Sequence, residues 1–189
     1  MYKYHDNTQP FDPATQPYSF FYVSIAGQIE HGEFMEMDGL AVKYAFVAGS
    51  DWSLASGEKS KEGAGQHAFK CSYGHSTSNR MIWNLPFEAT YRTMNPHGWP
   101  QLVIYCTAVD EVGEDYVRAF GCTHVPIQPG MVQKTIRMFS PSEQNKCLEF
   151  FGSFQEGSGL AVEDPLLIAK AHGRDHTRVK AGGKVTVTF

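Results

Sequence analysis

Residues 40–52 read LAVKYAFVAGSDW. Apolar side chains fall at every second position: Leu40, Val42, Tyr44 and Phe46 share one face, and Ala41, Lys43, Ala45 and Val47 the other. A period of two is the spacing of a β-strand, whose successive side chains point to opposite sides of a sheet. Gly49 ends the run. The same pattern recurs along the chain, in YSFFYVSIAGQIEHG (18–32), RMIWNLPFEATYRT (80–93), WPQLVIYCTA (99–108), YVRAFGCTHVPI (116–127), MVQKTIRMF (131–139) and KVTVTF (184–189). Short strands separated by Gly- and Pro-bearing turns predict an all-β sandwich or barrel. Pro86 is expected to break or bulge its strand.

Two stretches depart from alternation. SPSEQNKCLEFFGSF (140–154) places Pro141 after a capping Ser140, with Glu143 three residues beyond the cap, and predicts one short helix. Residues 53–78, SLASGEKSKEGAGQHAFKCSYGHSTS, are polar and rich in Gly and Ser, and read as a long loop. One or two shorter strands are expected within 161–183. Prolines 10, 13 and 17 make residues 1–17 an extended lead-in, with a single domain over 18–189.

The 189 residues include 42% hydrophobic and 13% aromatic side chains, enough to build a core. The formal net charge of −4 offers no basic face for nucleic acid. No apolar run has the length of a membrane span, and the N-terminus lacks the charged start and apolar centre of a secretory signal. A cytosolic location, or its membrane-facing edge, is expected. Cysteines 71, 106, 122 and 147 form no C-x-x-C pair, and Cys106 and Cys122, inside apolar runs, read as buried core thiols.

Chemical motifs are weak. GEKSKEG (57–63) lacks the uninterrupted Gly-Lys-Ser of a phosphate loop. His67, Cys71 and His75 share a four-residue spacing but sit in Gly-bearing, non-helical sequence without a fourth ligand. His172 and His176, on a strand, would stand roughly 13 Å apart, too far for one metal. No nucleophile elbow or zinc-protease motif is present, and no enzyme is expected. One cluster stands out: Asp110, Glu111, Glu114 and Asp115 follow the strand at 99–108, and Asp38 precedes the strand at 40–49. Carboxylates from two loops at one end of a sandwich are what a calcium ion requires; the alternative is a solvated turn around Gly113.

The acidic stretch looks like the third loop of a C2 domain. Taken together, VSIAGQIE (23–30), LAVKYAFVAGSDW (40–52), IWNLPFEATYRTMNPHGWPQLVI (82–104), GCTHVPIQPG (121–130), TIRMFSP (135–141) and GRDHTRV (173–179) resemble, in order, the B9 domain family, a divergent branch of C2 domains found in ciliary transition-zone proteins. Residues 1–17 and 53–78 lie outside the detailed match. The resemblance implies a C2-like antiparallel sandwich of eight strands. It marks Asn95, Pro96, Gly98, Trp99 and Pro100, and His124, Val125 and Pro126, as the family's structural motif. It also implies a non-enzymatic scaffold at the cytoplasmic side of the ciliary transition zone or basal body. The implied partners are other B9 domain proteins, including B9 domain-containing protein 2 and the Meckel syndrome type 1 protein, within a larger tectonic-like complex. A peripheral lipid-binding module is the competing reading.

A calcium-competent C2 third loop carries Asp-x-Asp and a further Asp some five residues on. Ala108 replaces the first of these here, so Asp38, Asp110 and Asp115 read as a vestigial calcium set, and neither metal nor cofactor is expected. Trp99 is expected to pack at the sandwich end, with Pro100 at the strand start. Trp52 and Trp99 are both candidates for an interface anchor.

Overall fold

Strand formation follows the alternation closely. The computed structural model describes residues 20–55, 61–73, 76–109, 113, 115–141 and 179–189. Its strands are β1 (Phe21–Glu33), β2 (Leu40–Val47), β3 (Ser53–Leu54), β4 (Glu62–Ala68), β5 (Ser72–Tyr73), β6 (Ser76–Thr77), β7 (Arg80–Thr93), β8 (Gln101–Val109), β9 (Asp115–His124), β10 (Gln133–Pro141) and β11 (Val179–Thr188). Eight of them have seven residues or more. With the two-residue β3 they form a nine-stranded antiparallel sheet in the order β3-β7-β1-β11-β10-β9-β8-β2-β4, while β5 and β6 pair separately.

The sheet curls onto itself. Its weakest join is β9 to β10, which share one pair, Phe120 with Phe139. On one side of this corner lies the layer β4-β2-β8-β9, and on the other β3-β7-β1-β11-β10. Alternate side chains of the two layers meet between them. Leu40, Val42, Leu102, Ile104, Ile29, Met81, Val185 and Val187 are fully buried or nearly so. Aromatic rings cross the gap edge-on: Phe87 lies 5.8 Å from Tyr44, 5.6 Å from Phe46 and 5.5 Å from Phe189.

A graded bulge drives the curl. Between the paired triplets Val187–Ile29–Leu85 and Val185–Gly32–Met81, β11 has one residue, Thr186; β1 has two, Glu30 and His31; and β7 has three, Ile82, Trp83 and Asn84. Each successive strand is longer, so the sheet must bend there. The strain concentrates at Asn84, whose φ of 47° is the one positive value among described non-glycine residues. The irregularity of β7 is therefore at Asn84, not at Pro86, which pairs in register with Gln28. Trp83 fills the bend: its ring lies against Gly32, and its Nε1 donates to the Leu40 carbonyl at 2.9 Å.

Three other expectations change. The polar stretch 53–78 is not a loop, because Glu62–Ala68 forms β4 along β2. Glycines at 63 and 65 hide the strand in the sequence: Gly63 leaves room for the Tyr44 ring, and Gly65 for Val42. Ser140 and Pro141 end β10 rather than starting a helix, since they pair with Lys180 and Val179; the remainder of 140–154 lies outside the described residues. No helix occurs among the described residues. The final strand starts at Val179, earlier than 184.

Glu33 pins three strands. It receives Arg80 of β7 at 3.0 Å and Lys184 of β11 at 2.9 Å. The Lys184 hydrogen bond, with Arg80 assisting, holds its carboxyl below the ordinary 4.5. A lowered folded-state pKa gives stability that is present above the ordinary value and lost as pH falls through the folded one. Glu33→Gln should therefore lower the urea midpoint at pH 7, and the gap to the unaltered protein should close as pH falls below 4.5. Denaturation across that range measures it; a constant gap would show that charge is not the cause.

Candidate functional site

The motif residues converge at one end of the sandwich. The turn after β2 and the turn between β7 and β8 meet backbone to backbone, with Gly49 N–H donating to the Gly98 carbonyl at 2.8 Å. A Cβ on Gly98 would lie 2.7 Å from the Gly49 Cα, and Gly98 has a φ of +73°. Space and backbone conformation together demand glycine at 98.

That contact positions Trp52. Its backbone N–H donates to the Gly49 carbonyl at 3.1 Å, and its Nε1 to the His97 carbonyl at 2.7 Å. Its ring meets Trp99 edge-on at 5.3 Å, with Phe21 at 5.7 Å and Tyr91 at 6.3 Å. Trp99 ties in a third turn: its Nε1 donates to the Val125 carbonyl at 2.9 Å, and Val125 N–H to the Pro100 carbonyl at 3.0 Å. Asn95 organises its own turn, accepting from His97 N–H at 3.0 Å and donating to Asp51 at 3.1 Å. Thr93, buried beneath, bonds both the N–H and the carbonyl of Asn95.

The structure thus brings together Trp52, Asn95, Gly98, Trp99, Pro100 and Val125. Trp52 is 7% exposed and belongs to the core, so in the folded chain it offers almost nothing to a partner. Trp99 is half-buried, Pro100 and Val125 are buried, and Pro126 is half-buried. Pro96 and His124 are exposed, and the His124 carbonyl accepts from Lys134 Nζ at 2.7 Å. The polar atoms of this cluster are bonded to one another, which makes it a clamp holding three turns as one rigid end.

Comparison with known proteins agrees with the fold. A family model described as "Ciliary basal body-associated, B9 protein" matches residues 23–189. The chain belongs to this B9 family. It is 42% identical to B9 domain-containing protein 1 of Xenopus laevis over 90% of this chain and 83% of that protein. It is 38% identical to that of Homo sapiens over 93% of this chain and 83% of that protein. It is also 25% identical to B9 domain-containing protein 2 of Drosophila melanogaster, over 87% of this chain and 89% of that protein. The chain is a ciliary B9 protein with a C2-like fold.

At the opposite end of this B9 domain lie Asp38 and Asp115. Asp38 precedes β2 and Asp115 opens β9, and the pairings of β2 with β8 and of β8 with β9 place both at the same end. Each carboxylate has a partner in the protein. Asp115 receives Lys43 Nζ at 2.6 Å, and Asp38 Oδ1 accepts the N–H groups of Gly39 at 2.9 Å and Lys70 at 2.8 Å. Asp110 lies outside the described residues, as do Glu111, Glu114, His75, His172 and His176. No group of three His, Cys, Asp or Glu side chains is placed to hold a metal among the described residues. His67 and Cys71 are exposed. Cys106 is fully buried, and burial pushes its thiol far up, keeping it protonated and inert.

One feature escaped the sequence reading. Between β4 and β7 is a cleft of about 380 Å³, lined by residues 64–68 and 82–86. Its sequence signal is the run of small residues Gly63, Ala64 and Gly65, which the polar composition around it concealed.

The clamp predicts a specific sensitivity. Gly98→Ala should cost about 2 kcal/mol, from left-handed backbone strain and the clash with Gly49. Asp51→Ala, which removes two exposed hydrogen bonds, those from Asn95 and Ser50, should cost about 1 kcal/mol or less. Urea denaturation of both variants checks the order; equal effects would count against the clamp.

Proposed function

We propose that this B9 domain is a non-enzymatic scaffold subunit of the ciliary transition zone. It assembles with other B9 domain proteins, among them B9 domain-containing protein 2 and the Meckel syndrome type 1 protein. Together they form the cytoplasmic part of a larger tectonic-like complex that restricts passage of ciliary membrane proteins and supports ciliogenesis. Residues 18–189 are the assembling unit, with 1–17 leading into it.

The observation that carries this reading is the clamp. The motif residues spend their polar atoms on one another and hold three turns as a fixed surface, which suits presentation to a partner better than turnover of a substrate. Likeness to two kinds of B9 protein over most of the chain supports assembly domain against domain. Purification of the tagged chain from ciliated cells, in calcium and again in chelator, tests it. B9 domain-containing protein 2 and the Meckel syndrome type 1 protein should be recovered equally in both. Recovery of neither would overturn the scaffold reading, and recovery only in calcium would return Asp38, Asp110 and Asp115 to an ion-binding role.

A second reading, peripheral lipid binding, has one observation in its favour. Ile127 is 79% and Met131 87% exposed on the turn between β9 and β10, around Gly130. Apolar side chains at a loop tip can enter the headgroup boundary of a bilayer. Flotation with vesicles of neutral and anionic phospholipid checks this. Binding that Ile127→Ser with Met131→Ser abolishes would favour the lipid module; the scaffold reading expects the protein to stay with the soluble fraction.

A further inference from the structure

The open side of the sandwich carries information the clamp does not. Among the described residues, β4 ends its layer and pairs along one side, with β2. β7 lies beneath it, and along Arg80–Ala89 its outer side has no strand partner among the described residues, since β3 reaches only Tyr91 and Arg92. No ladder joins β4 to β7 among the described residues. The cleft of about 380 Å³ opens between them.

The two edges differ chemically. β7 is blunted: Pro86 lacks an N–H, and Asn84 at φ 47° interrupts the extended run. β4 carries no proline and no lysine; its one carboxylate, Glu62, lies at its start, and it bulges between Ala64 and His67, where it takes three steps to two on β2. Charged or proline-bearing residues are the usual protection of an edge strand against pairing. The cleft below is shaped for side chains. Gly65 leaves its floor open, since a Cβ there would already touch Val42 at 3.2 Å and Leu85 at 3.5 Å. Ile82 stands on the rim, 57% exposed, and the Trp83 indole closes one end through its bond to Leu40.

We propose that β4 accepts an extended strand from a partner polypeptide, which continues the β4-β2-β8-β9 layer and lowers alternate apolar side chains into the cleft above β7. The backbone edge left open among the described residues selects this occupant. A row of N–H and C=O groups beside a cleft that offers Ile82 and Leu85 together with Gln66, His67 and Asn84 is satisfied by another extended backbone, with room for every second side chain. A helix or a small apolar ligand would leave the edge unpaired. The identity of the natural partner rests on the scaffold reading; the strand-accepting edge does not.

The test starts from the intact chain and a displayed library of nine-residue peptides. Enriched peptides should alternate apolar and polar residues, and the leading synthetic peptide should slow amide exchange in Glu62–Ala68. Ile82→Glu, at the exposed rim, and Gly65→Leu, which fills the floor, should each weaken binding at least tenfold. The Ile82→Glu variant should keep its unfolding midpoint, and Met131→Ser, on a distant turn, should bind normally. Failure to enrich any peptide, protection confined to other strands, or affinity unmoved by Ile82→Glu would each overturn the proposal. Exchange is then repeated with B9 domain-containing protein 2. If peptides bind β4 but that protein does not associate, the strand site stands and the scaffold reading falls. If it associates while β4 exchanges freely and no peptide binds, the scaffold stands and the strand site falls.

Discussion

The approach of two glycine backbones, Gly49 to Gly98, is the constraint on which one end of the fold depends. It joins the turn that leaves β2 to the turn that links β7 and β8, and so ties one layer of the sandwich to the other. Neither residue can carry a side chain without displacing the other. Once they touch, Trp52 can reach the His97 carbonyl, stack edge-on against Trp99, and lie over Tyr91 and Phe21. Trp99 then reaches Val125, beyond β9. A single hydrogen bond of this kind is worth only about 1 kcal/mol net. Its importance lies in geometry, because it sets where two large aromatic rings are buried.

The other end of the sheet is governed by the graded bulge. One, two and three residues on β11, β1 and β7 span the same pairing interval. This extra length lets β7 swing beneath β4, so the two layers face each other with their edges aligned but unjoined. The clamp closes one end of the sandwich, and the bulge leaves its flank open. The first fixes a surface, and the second leaves the outer backbone groups of β4 without a strand partner among the described residues.

The acidic end illustrates how a charged cluster can be put to structural use. Asp115 is engaged by Lys43, which ties β9 to β2 across β8, and Asp38 ties its turn to the backbone of Lys70. Exposed pairs of this type contribute about 0–1 kcal/mol each. They nonetheless orient oxygens that a calcium site would need free, because a carboxylate held by an ammonium group or by two N–H groups has fewer lone pairs to offer a cation.

The sequence by itself determined most of the long strands, although Leu40–Val47 and Gln101–Val109 are buried on both faces. In Leu40–Val47, Gln101–Val109 and Arg80–Thr93, alternation is a local property, written in adjacent residues, and the core reads it directly. It also determined the composition of the clamp, since Asn, Pro, Gly and Trp in the stretch 95–100 announce a turn with something large to bury. The tertiary structure alone decided which turns meet, where Lys43 finds Asp115 72 residues away, and that Trp52 faces inward. It alone revealed β4. That strand is held by backbone hydrogen bonds along β2, and its glycines pack by having no side chain. Backbone pairing leaves no mark in residue type, so an edge strand of small polar residues reads as a loop until its neighbour is in place.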